Sequence, residues 1–349
     1  METKTKNENR IGKRPRSGSE CRKENRLIII AGPTAVGKTK TAVELAKLLD
    51  SEVVSADSMQ IYRGMDIGTA KVTKEEMQGI PHHLIDVMEP GENYNVIRFC
   101  EMAAAAIDEI HSRGKIPVLC GGTGFYIQAL LYGIDFPEEP EDDSIRRELH
   151  RLAEEKGPEA VWQELEQVDP EYAQMVPPEN VVKCIRGLEF YRYHGEKLSE
   201  HNRKEMAGRT PRYDAKLFVL YDEREALFDR INRRVDRMME EGLLEETRRL
   251  LDAGIDRQGT AMQAIGYRQL AEYLDGEVSP DRAVENIKTA SRRYAKRQLV
   301  WFRREPEAIW VHVGKEDPVE RIRRELGLLK KEEPHGGPLK EYRKSKRPF

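Results

Sequence analysis

A stretch near the amino terminus has the residue types and the spacing of a phosphate-binding loop. It consists of Gly32, Pro33, Thr34, Ala35, Val36, Gly37, Lys38 and Thr39. Backbone N–H groups of such a loop surround phosphate oxygens at a distance where a Cβ atom would intrude, so glycine is needed. Lys38 is then expected to reach the terminal phosphate, and the Thr39 hydroxyl to bind Mg²⁺.

The segments on either side are those that such a loop requires. The apolar run 27–30 predicts a buried strand before it, and Ala42, Leu45, Ala46 and Leu49 predict a helix after it. The N-terminus of that helix adds partial positive charge where a phosphate would lie. A chance glycine-rich turn is the alternative interpretation, and the flanking elements argue against it.

A carboxylate is expected at the same edge of the sheet. A short second strand is predicted over 52–56, and it leads into Asp57, Ser58, Met59 and Gln60. In an open α/β sheet, ligands bind outside the carboxyl ends of the strands, which predicts Asp57 beside the phosphate loop. The alternatives are that Asp57 caps the next turn or holds magnesium indirectly.

Three further segments add to this picture. The loop 62–71 is rich in glycine and polar residues, which is typical of a functional connection. The apolar run 116–119 ends in Gly121-Gly122-Thr123-Gly124, which predicts more backbone donors at the same edge. His82 and His83, which lead into a third predicted strand, have no third metal ligand at suitable spacing, so a structural or surface role is favoured.

An arginine-rich helix is predicted over 222–238, after a strand at 216–221. Its apolar stripe is Leu227, Ile231, Val235 and Met238, which places most of its arginines on solvated faces. Arginine binds diphosphate oxygens through two parallel N–H groups, which lysine cannot do. Arg224, near the start of this helix, is expected to point back at the phosphate site.

The predicted fold is α/β: a P-loop-type parallel sheet flanked by helices, with a small all-helical insertion. The catalytic core is expected over 27–135 and 207–320, and the insertion over 136–206, beginning with the acidic linker 136–143. Residues 1–26 are predicted to be a disordered basic tail and residues 330–349 a flexible tail.

Composition limits the function classes. The net charge of −3 on 349 residues does not by itself indicate a nucleic-acid binder, so such a role would need local clusters of charge. Cys21, Cys100, Cys120 and Cys184 are far apart, without zinc or disulfide spacing. They favour a reducing compartment, and no apolar run is long enough for a membrane helix. We therefore expect a cytoplasmic protein.

One basic segment near the carboxyl end could bind RNA. Residues 282–304 carry eight basic side chains and one acidic one, interleaved with Tyr294, Trp301 and Phe302. Basic charge neutralises phosphates and aromatic rings stack on bases, as single-stranded RNA requires. A solvated basic face is the equally weighted alternative.

Together these segments resemble the tRNA dimethylallyltransferase family, also called tRNA isopentenyltransferases, over about 27–312. The resemblance is carried by GPTAVGKT (32–39), SADSMQIYRGMDIGTAK (55–71), PHHLID (81–86), GGTGFY (121–126), MQAIGYRQL (262–270) and RRYAKRQLVWFR (292–303). It implies Mg²⁺-dependent transfer of a dimethylallyl group from dimethylallyl diphosphate to N6 of the adenosine 3′-adjacent to the tRNA anticodon. It also implies that the phosphate loop holds the prenyl donor's diphosphate instead of ATP.

The resemblance further implies roles for individual residues. Asp57 takes the proton from N6, Lys38, Arg224 and Mg²⁺ on Thr39 stabilise the leaving diphosphate, and the insertion clamps the anticodon stem-loop. The expected tRNA contacts are Asp57, Ser58, Met59, Gln60, Thr123, Arg146, Val182, Lys183, Cys184, Ile185, Arg186, Gln263, Ala264, Ile265, Gly266, Tyr267 and Arg268. Members usually carry Ala at the position of Gly187, often Arg at Lys183 and usually Thr at Val300. A lysine cannot replace a bidentate arginine, so the first two departures bear on the insertion's RNA contacts.

Three alternatives stay open on the residues alone. A P-loop kinase or NTPase would use the same nucleotide-binding loop, although Asp57 is its only candidate for a further magnesium ligand. A prenyltransferase acting on free AMP would need neither the insertion nor the basic segment. An RNA-binding protein with a vestigial loop would bind tRNA without forming product. We expect a monomer that binds tRNA and no membrane.

Overall fold

The computed structural model describes residues 25–134, 136, 143–207 and 209–328. Its strands are β1 Arg26–Ala31, β2 Val53–Ser55, β3 His82–His83, β4 Val118–Gly121, β5 Asp214–Tyr221 and β6 Ile309–His312. Within these ranges they form one parallel sheet in the order β3-β2-β4-β1-β5-β6. The predicted parallel sheet is therefore confirmed.

Strand β1 is buried on both faces of the sheet. Leu27 and Ile29 belong to the core on one face, whereas Ile28 and Ile30 belong to the core on the other. This two-sided burial explains the unbroken apolar run before the phosphate loop, since a strand inside a parallel sheet has no solvated face. Burial of each such side chain contributes about 1.5–3 kcal/mol, which fixes the strand from which the loop emerges.

Helices cover both faces of the sheet and build the insertion. They are α1 Lys38–Leu48, α2 Lys74–Met77, α3 Val96–Ser112, α4 Gly124–Tyr132, α5 Ser144–Lys156, α6 Pro158–Val168, α7 Pro170–Ala173, α8 Val181–His194, α9 Leu198–Ala207, α10 Arg224–Glu240, α11 Leu243–Asp252, α12 Tyr267–Leu274, α13 Pro280–Phe302 and α14 Pro318–Glu325. Among the described residues, no helix is long and apolar enough to cross a membrane.

Local signals explain where the longest helices begin. Asn95 caps α3 by accepting a hydrogen bond from the backbone N–H of Arg98. Ser279 caps α13 in the same way, and Pro280 occupies its first turn, where no N–H donor is needed. These two residues fix the start of helix α13, which is 23 residues long and passes beside the phosphate loop.

Helices α5 to α8 share a small core of their own. Leu149, Val161, Leu165 and Leu188 are fully buried in it. A Cβ atom at Gly187 would lie 2.7 Å from Cδ1 of Leu165 and 2.9 Å from a ring carbon of Tyr172. The close packing of α8 on α6 and α7 thus leaves little room for the alanine that the resemblance implies at this position.

Several boundaries differ from those expected. Arg26, assigned to the amino-terminal tail, begins β1, and the third predicted strand is only His82–His83. Strand β6 and helix α14 were not among the predicted elements. Residues 1–24, 330–349 and most of the predicted linker, 137–142, lie outside the described residues.

The division into a core and a helical insertion stays a prediction, which a core substitution can test. Leu165→Ala removes a fully buried side chain from the insertion and should cost about 2–5 kcal/mol there. We expect faster amide hydrogen exchange, measured by mass spectrometry, in α5 to α8 and unchanged exchange in β1 and β4. Equal acceleration in both parts would mean that the chain unfolds as one unit.

Candidate active site

One cavity of about 700 Å³ lies at the carboxyl ends of the central strands. The phosphate loop forms one wall, and the segment that follows β2 forms a second. The loop 66–73, the segment 263–265 and the middle of α13 close the remaining sides. The structure thus brings Lys38 and Asp57, which are far apart in the sequence, to the wall of one cavity.

The phosphate loop has a backbone that few residue types adopt. Gly32, Ala35 and Gly37 have φ angles of 143°, 63° and 99°. A Cβ atom at Gly32 would lie 2.4 Å from the carbonyl oxygen of Leu220, so glycine is required there by space as well as by conformation. The turn leads directly into the N-terminus of α1, where backbone N–H groups can bind an anion.

Two long-range contacts hold the loop in this conformation. The backbone N–H of Thr34 donates to Oε1 of Gln298 at 2.9 Å, and Nε2 of Gln298 donates to the carbonyl of Gly122 at 2.9 Å. Nε of Arg230 donates to the carbonyl of Ala35 at 3.1 Å, while the same guanidinium pairs with Asp222 at 2.7 Å. These residues position the phosphate loop, and the sequence analysis did not identify either Gln298 or Arg230.

Lys38 lies on the cavity wall with its ammonium group held by the loop. Its Nζ donates to the carbonyl of Pro33 at 2.8 Å. The pKa of Lys38 is lowered from 10.5 to about 8, chiefly by burial; Cys120 and Asp57 oppose this shift, and Arg234 adds a smaller contribution to it. An anion bound in the cavity would favour the charged lysine, so Lys38 is poised to bind phosphate oxygens.

Asp57 caps the turn that follows β2 and also lines the cavity. Its Oδ1 accepts hydrogen bonds from the backbone N–H groups of Met59 at 2.9 Å and Gln60 at 3.3 Å. The capping role considered from the sequence is therefore present, and it orients the carboxylate at the cavity wall. Nε2 of Gln60 donates to the carbonyls of Thr69 at 3.3 Å and Ala70 at 3.2 Å, which ties this turn to the next loop.

The arginine of α10 that lines the cavity is not the one expected from the sequence. The guanidinium of Arg224 lies 5.2 Å from the ring centroid of Phe228, and Arg224 does not line the cavity. Arg234 does line it, with Nη1 3.4 Å from Oγ1 of Thr34. The two arginines are ten positions apart, about 15 Å along α10, and the middle of that helix faces the loop.

Helix α13 has more than one role along its length. Tyr294 and Gln298 point into the cavity, whereas Arg293 and Lys296 are exposed. Burial, and then the charge of Asp57, raise the pKa of Tyr294 to about 12, so this phenol stays protonated. Phe302 is fully buried and cannot stack on a base. Only part of segment 282–304 therefore offers the predicted RNA surface.

Some of the residues expected to contact tRNA line the cavity, and others have buried side chains. Ser58, Met59 and Gln60 line the cavity with Asp57, as do Gln263, Ala264 and Ile265. The buried side chains, by contrast, cannot contact RNA themselves; they are Cys184, Ile185 and Tyr267.

The remaining expected contacts lie around the insertion and at helix starts. Val182 is 72% exposed, Lys183 and Arg268 are exposed, and Gly266 is buried. Arg146 and Arg186 both approach the buried carboxylate of Glu189, at 2.9 and 3.9 Å. Thr123 immediately precedes α4.

The histidine pair has a structural role, as the sequence analysis favoured. Nε2 of His83 bonds Oε2 of Glu52 at 2.8 Å, and Nδ1 of His82 bonds the carbonyl of Ile80 at 2.8 Å. Across the described part of the chain, His, Cys, Asp and Glu side chains form no group of three able to hold a metal ion.

The chain is similar in sequence to known proteins over most of its length. The sequence model described as "IPP transferase" matches residues 60–305, and that described as "Isopentenyl transferase" matches residues 25–91. A tRNA dimethylallyltransferase of Exiguobacterium sp. is 50% identical over 293 residues, which cover 84% of this chain and 92% of the relative.

The chain is also similar to proteins of known structure. The full-length tRNA isopentenylpyrophosphate transferase of Bacillus halodurans is 43% identical, with a TM-score of 0.66, over 87% of this chain and 96% of that one. A eukaryotic dimethylallyltransferase, captured in crystallographic snapshots acting on tRNA, is 30% identical with a TM-score of 0.72. The alignment covers 86% of this chain and 77% of the eukaryotic one.

Replacing Arg224 and Arg234 of α10 with alanine, one at a time, tests which of the two arginines binds diphosphate. Arg234→Ala removes a cation from the cavity wall and should weaken binding of inorganic diphosphate about 10- to 100-fold, the range of a charge-assisted hydrogen bond. Arg224→Ala, the matched control, should change the affinity less than about twofold. Isothermal titration calorimetry measures both, and the opposite ranking would restore the role expected for Arg224.

The lowered pKa of Lys38 predicts proton uptake when diphosphate binds. Above its pKa of about 8 the free lysine is mostly neutral, and the bound anion raises that pKa, so binding should draw in a proton. At about pH 8.5 we expect uptake of roughly 0.7 proton, seen as different titration heats in buffers of different ionisation enthalpy. Lys38→Met is the reference for protons exchanged by diphosphate itself, and an identical difference in that variant would contradict the prediction.

Proposed function

The chain belongs to the IPP transferase family of tRNA dimethylallyltransferases, and we propose that its phosphate loop holds a departing diphosphate while Asp57 faces the accepting adenine. The enzyme transfers a dimethylallyl group from dimethylallyl diphosphate to N6 of the adenosine 3′-adjacent to the anticodon in tRNA. The products are N6-(dimethylallyl)adenosine in tRNA and diphosphate.

Stabilisation of the leaving group is the main task of the phosphate loop. Breaking the allylic C–O bond places negative charge on the diphosphate, and fixed donors aimed at that charge lower the barrier. Lys38 and the backbone N–H groups at the N-terminus of α1 supply such donors. Arg234 takes the role that the sequence analysis gave to Arg224, because it is the one of the two that lines the cavity.

The site fits a magnesium ion held partly by substrate. Thr39 lines the cavity next to Lys38, at the first turn of α1. Magnesium is commonly held by few protein oxygens together with substrate phosphates and water, and the carboxylate of Asp57 lines the same cavity as Thr39. When bound by Thr39, the ion would neutralise charge on the diphosphate.

Asp57 is proposed as the base that takes the proton from N6. The N6 lone pair is delocalised into the adenine ring, so removal of its proton as the new C–N bond forms favours the reaction. Its backbone bonds to Met59 and Gln60 hold the carboxylate in one orientation. Such proton transfer contributes on the order of 10²- to 10⁴-fold to a rate.

The acceptor base has to leave the stack of the anticodon loop to reach this cavity. We propose that it enters between the turn 57–60 and the segment 263–265, which both line the cavity. Exposed basic residues of α13 and the exposed surface of α8 would contact the phosphates around it. The phenol of Tyr294, kept protonated by its raised pKa, is available there as a hydrogen-bond donor.

One observation carries the proposal over its alternatives: Asp57 and Lys38 line the same cavity as segment 263–265 of the family motif. A P-loop NTPase needs no RNA-facing wall of this kind. A prenyltransferase acting on free AMP would need no clamp such as helices α5 to α9.

Mass spectrometry of an anticodon stem-loop tests the proposal. Incubation with the protein, Mg²⁺ and dimethylallyl diphosphate should add one dimethylallyl group to the adenosine that follows the anticodon, whereas AMP should stay unmodified. Asp57→Asn should lower the single-turnover rate about 10²- to 10⁴-fold and change stem-loop affinity only a few fold. An unchanged rate would remove Asp57 as the base, and rapid ATP hydrolysis without RNA would favour an NTPase.

A further inference from the structure

A carboxylate on α11 occupies the junction between two walls of the cavity. Glu246 is only 2% exposed, although it is charged, and it lies outside every motif named above. Its neighbour Glu245 is exposed. A buried charge is costly unless it is paired or fully hydrogen-bonded, so the partners of Glu246 explain its presence.

The first set of partners is the loop 66–68. Oε2 of Glu246 accepts from the backbone N–H of Asp66 at 3.0 Å and of Ile67 at 3.0 Å. Oε1 accepts from Ile67 at 3.1 Å and from Gly68 at 3.1 Å. Three successive backbone donors therefore converge on one carboxylate, in the manner of an anion-binding nest.

The second partner comes from the other wall. The hydroxyl of Tyr267 donates to Oε1 of Glu246 at 2.6 Å, and this tyrosine is fully buried directly after segment 263–266. A Cβ atom at Gly68 would lie 2.5 Å from the Tyr267 ring, so the loop and the ring are in direct contact. Burial, and then the charge of Glu246, raise the pKa of this phenol and keep it a donor.

The contacts continue from this junction to the proposed base. The loop 66–68 runs into Thr69 and Ala70, whose carbonyls accept from the side chain of Gln60. The backbone N–H of Gln60 in turn donates to Asp57. A displacement of the loop would therefore be passed to the turn that orients the carboxylate of Asp57.

We propose that Glu246 is a positioning residue of the prenyl transfer, which holds the loop 66–68 and Tyr267 together and so fixes the side of the cavity where the adenine binds. This rests on the proposed function. All of the groups that hydrogen-bond to Glu246 are donors. The position therefore requires a carboxylate, which offers only acceptors, and glutamine does not replace it because its NH₂ group is a donor. The phosphate loop is held by Gln298 and Arg230 instead, so diphosphate binding does not depend on Glu246.

Glu246→Gln tests this role, with Glu245→Gln as the matched control on the exposed neighbour. In the first variant an NH₂ group faces backbone N–H donors, which should push the loop 66–68 outward. We expect kcat with an anticodon stem-loop to fall on the order of ten- to a hundredfold, as for a small misplacement of reacting groups. The Kd for inorganic diphosphate should stay within about twofold of the Glu245→Gln value.

The split between kcat and diphosphate affinity distinguishes positioning from general destabilisation. A parallel loss of both, or a kcat equal to that of Glu245→Gln, would overturn the proposal. If Glu246→Gln does not fold, Gly68→Ala displaces the same loop through the Tyr267 ring with the carboxylate intact, and the same outcomes apply. Wild-type protein that forms no prenylated RNA would instead refute the proposed function, so the two failures are distinguishable.

Discussion

The constraint on which the rest of the structure depends is the conformation of one short turn, whose backbone N–H groups are the proposed donors to diphosphate. The turn between β1 and α1 is unfavourable in isolation, because it contains left-handed residues, one of which is Ala35. It persists because the buried strand β1 fixes one end and α1 fixes the other. Gln298 and Arg230 then bind the middle of the turn through Thr34 and Ala35.

This arrangement makes helix α13 part of the active site. One face of the helix supports the phosphate loop through Gln298 and lines the cavity through Tyr294, while the opposite face keeps exposed Arg293 and Lys296. A single helix therefore joins the cavity wall to a basic surface. In the proposed function, the RNA on that surface and the prenyl donor in the cavity would be positioned by the same helix.

Cationic side chains and carboxylates lie on different sides of the cavity. On the side proposed to bind diphosphate, Arg234 and Lys38, whose pKa is lowered by burial, line the cavity. On the side proposed to bind adenine, the carboxylate of Asp57 at the cavity wall and that of Glu246 behind it are hydrogen-bonded by backbone donors. Positive groups are thus left for the substrate to neutralise, whereas negative groups are held in place by the protein.

The sequence by itself determined the phosphate loop, the position of Asp57 at the same edge, the parallel sheet and the family. Those features depend on residue periodicity and on glycine at a few positions, which are local properties of the chain. The tertiary structure alone decided that Arg234 and not Arg224 lines the cavity, that Phe302 is buried, and that Gln298 and Glu246 hold the walls. Gln298 bonds Thr34 across 264 positions of sequence, and such pairings follow from how helices pack on the sheet, which no short pattern records.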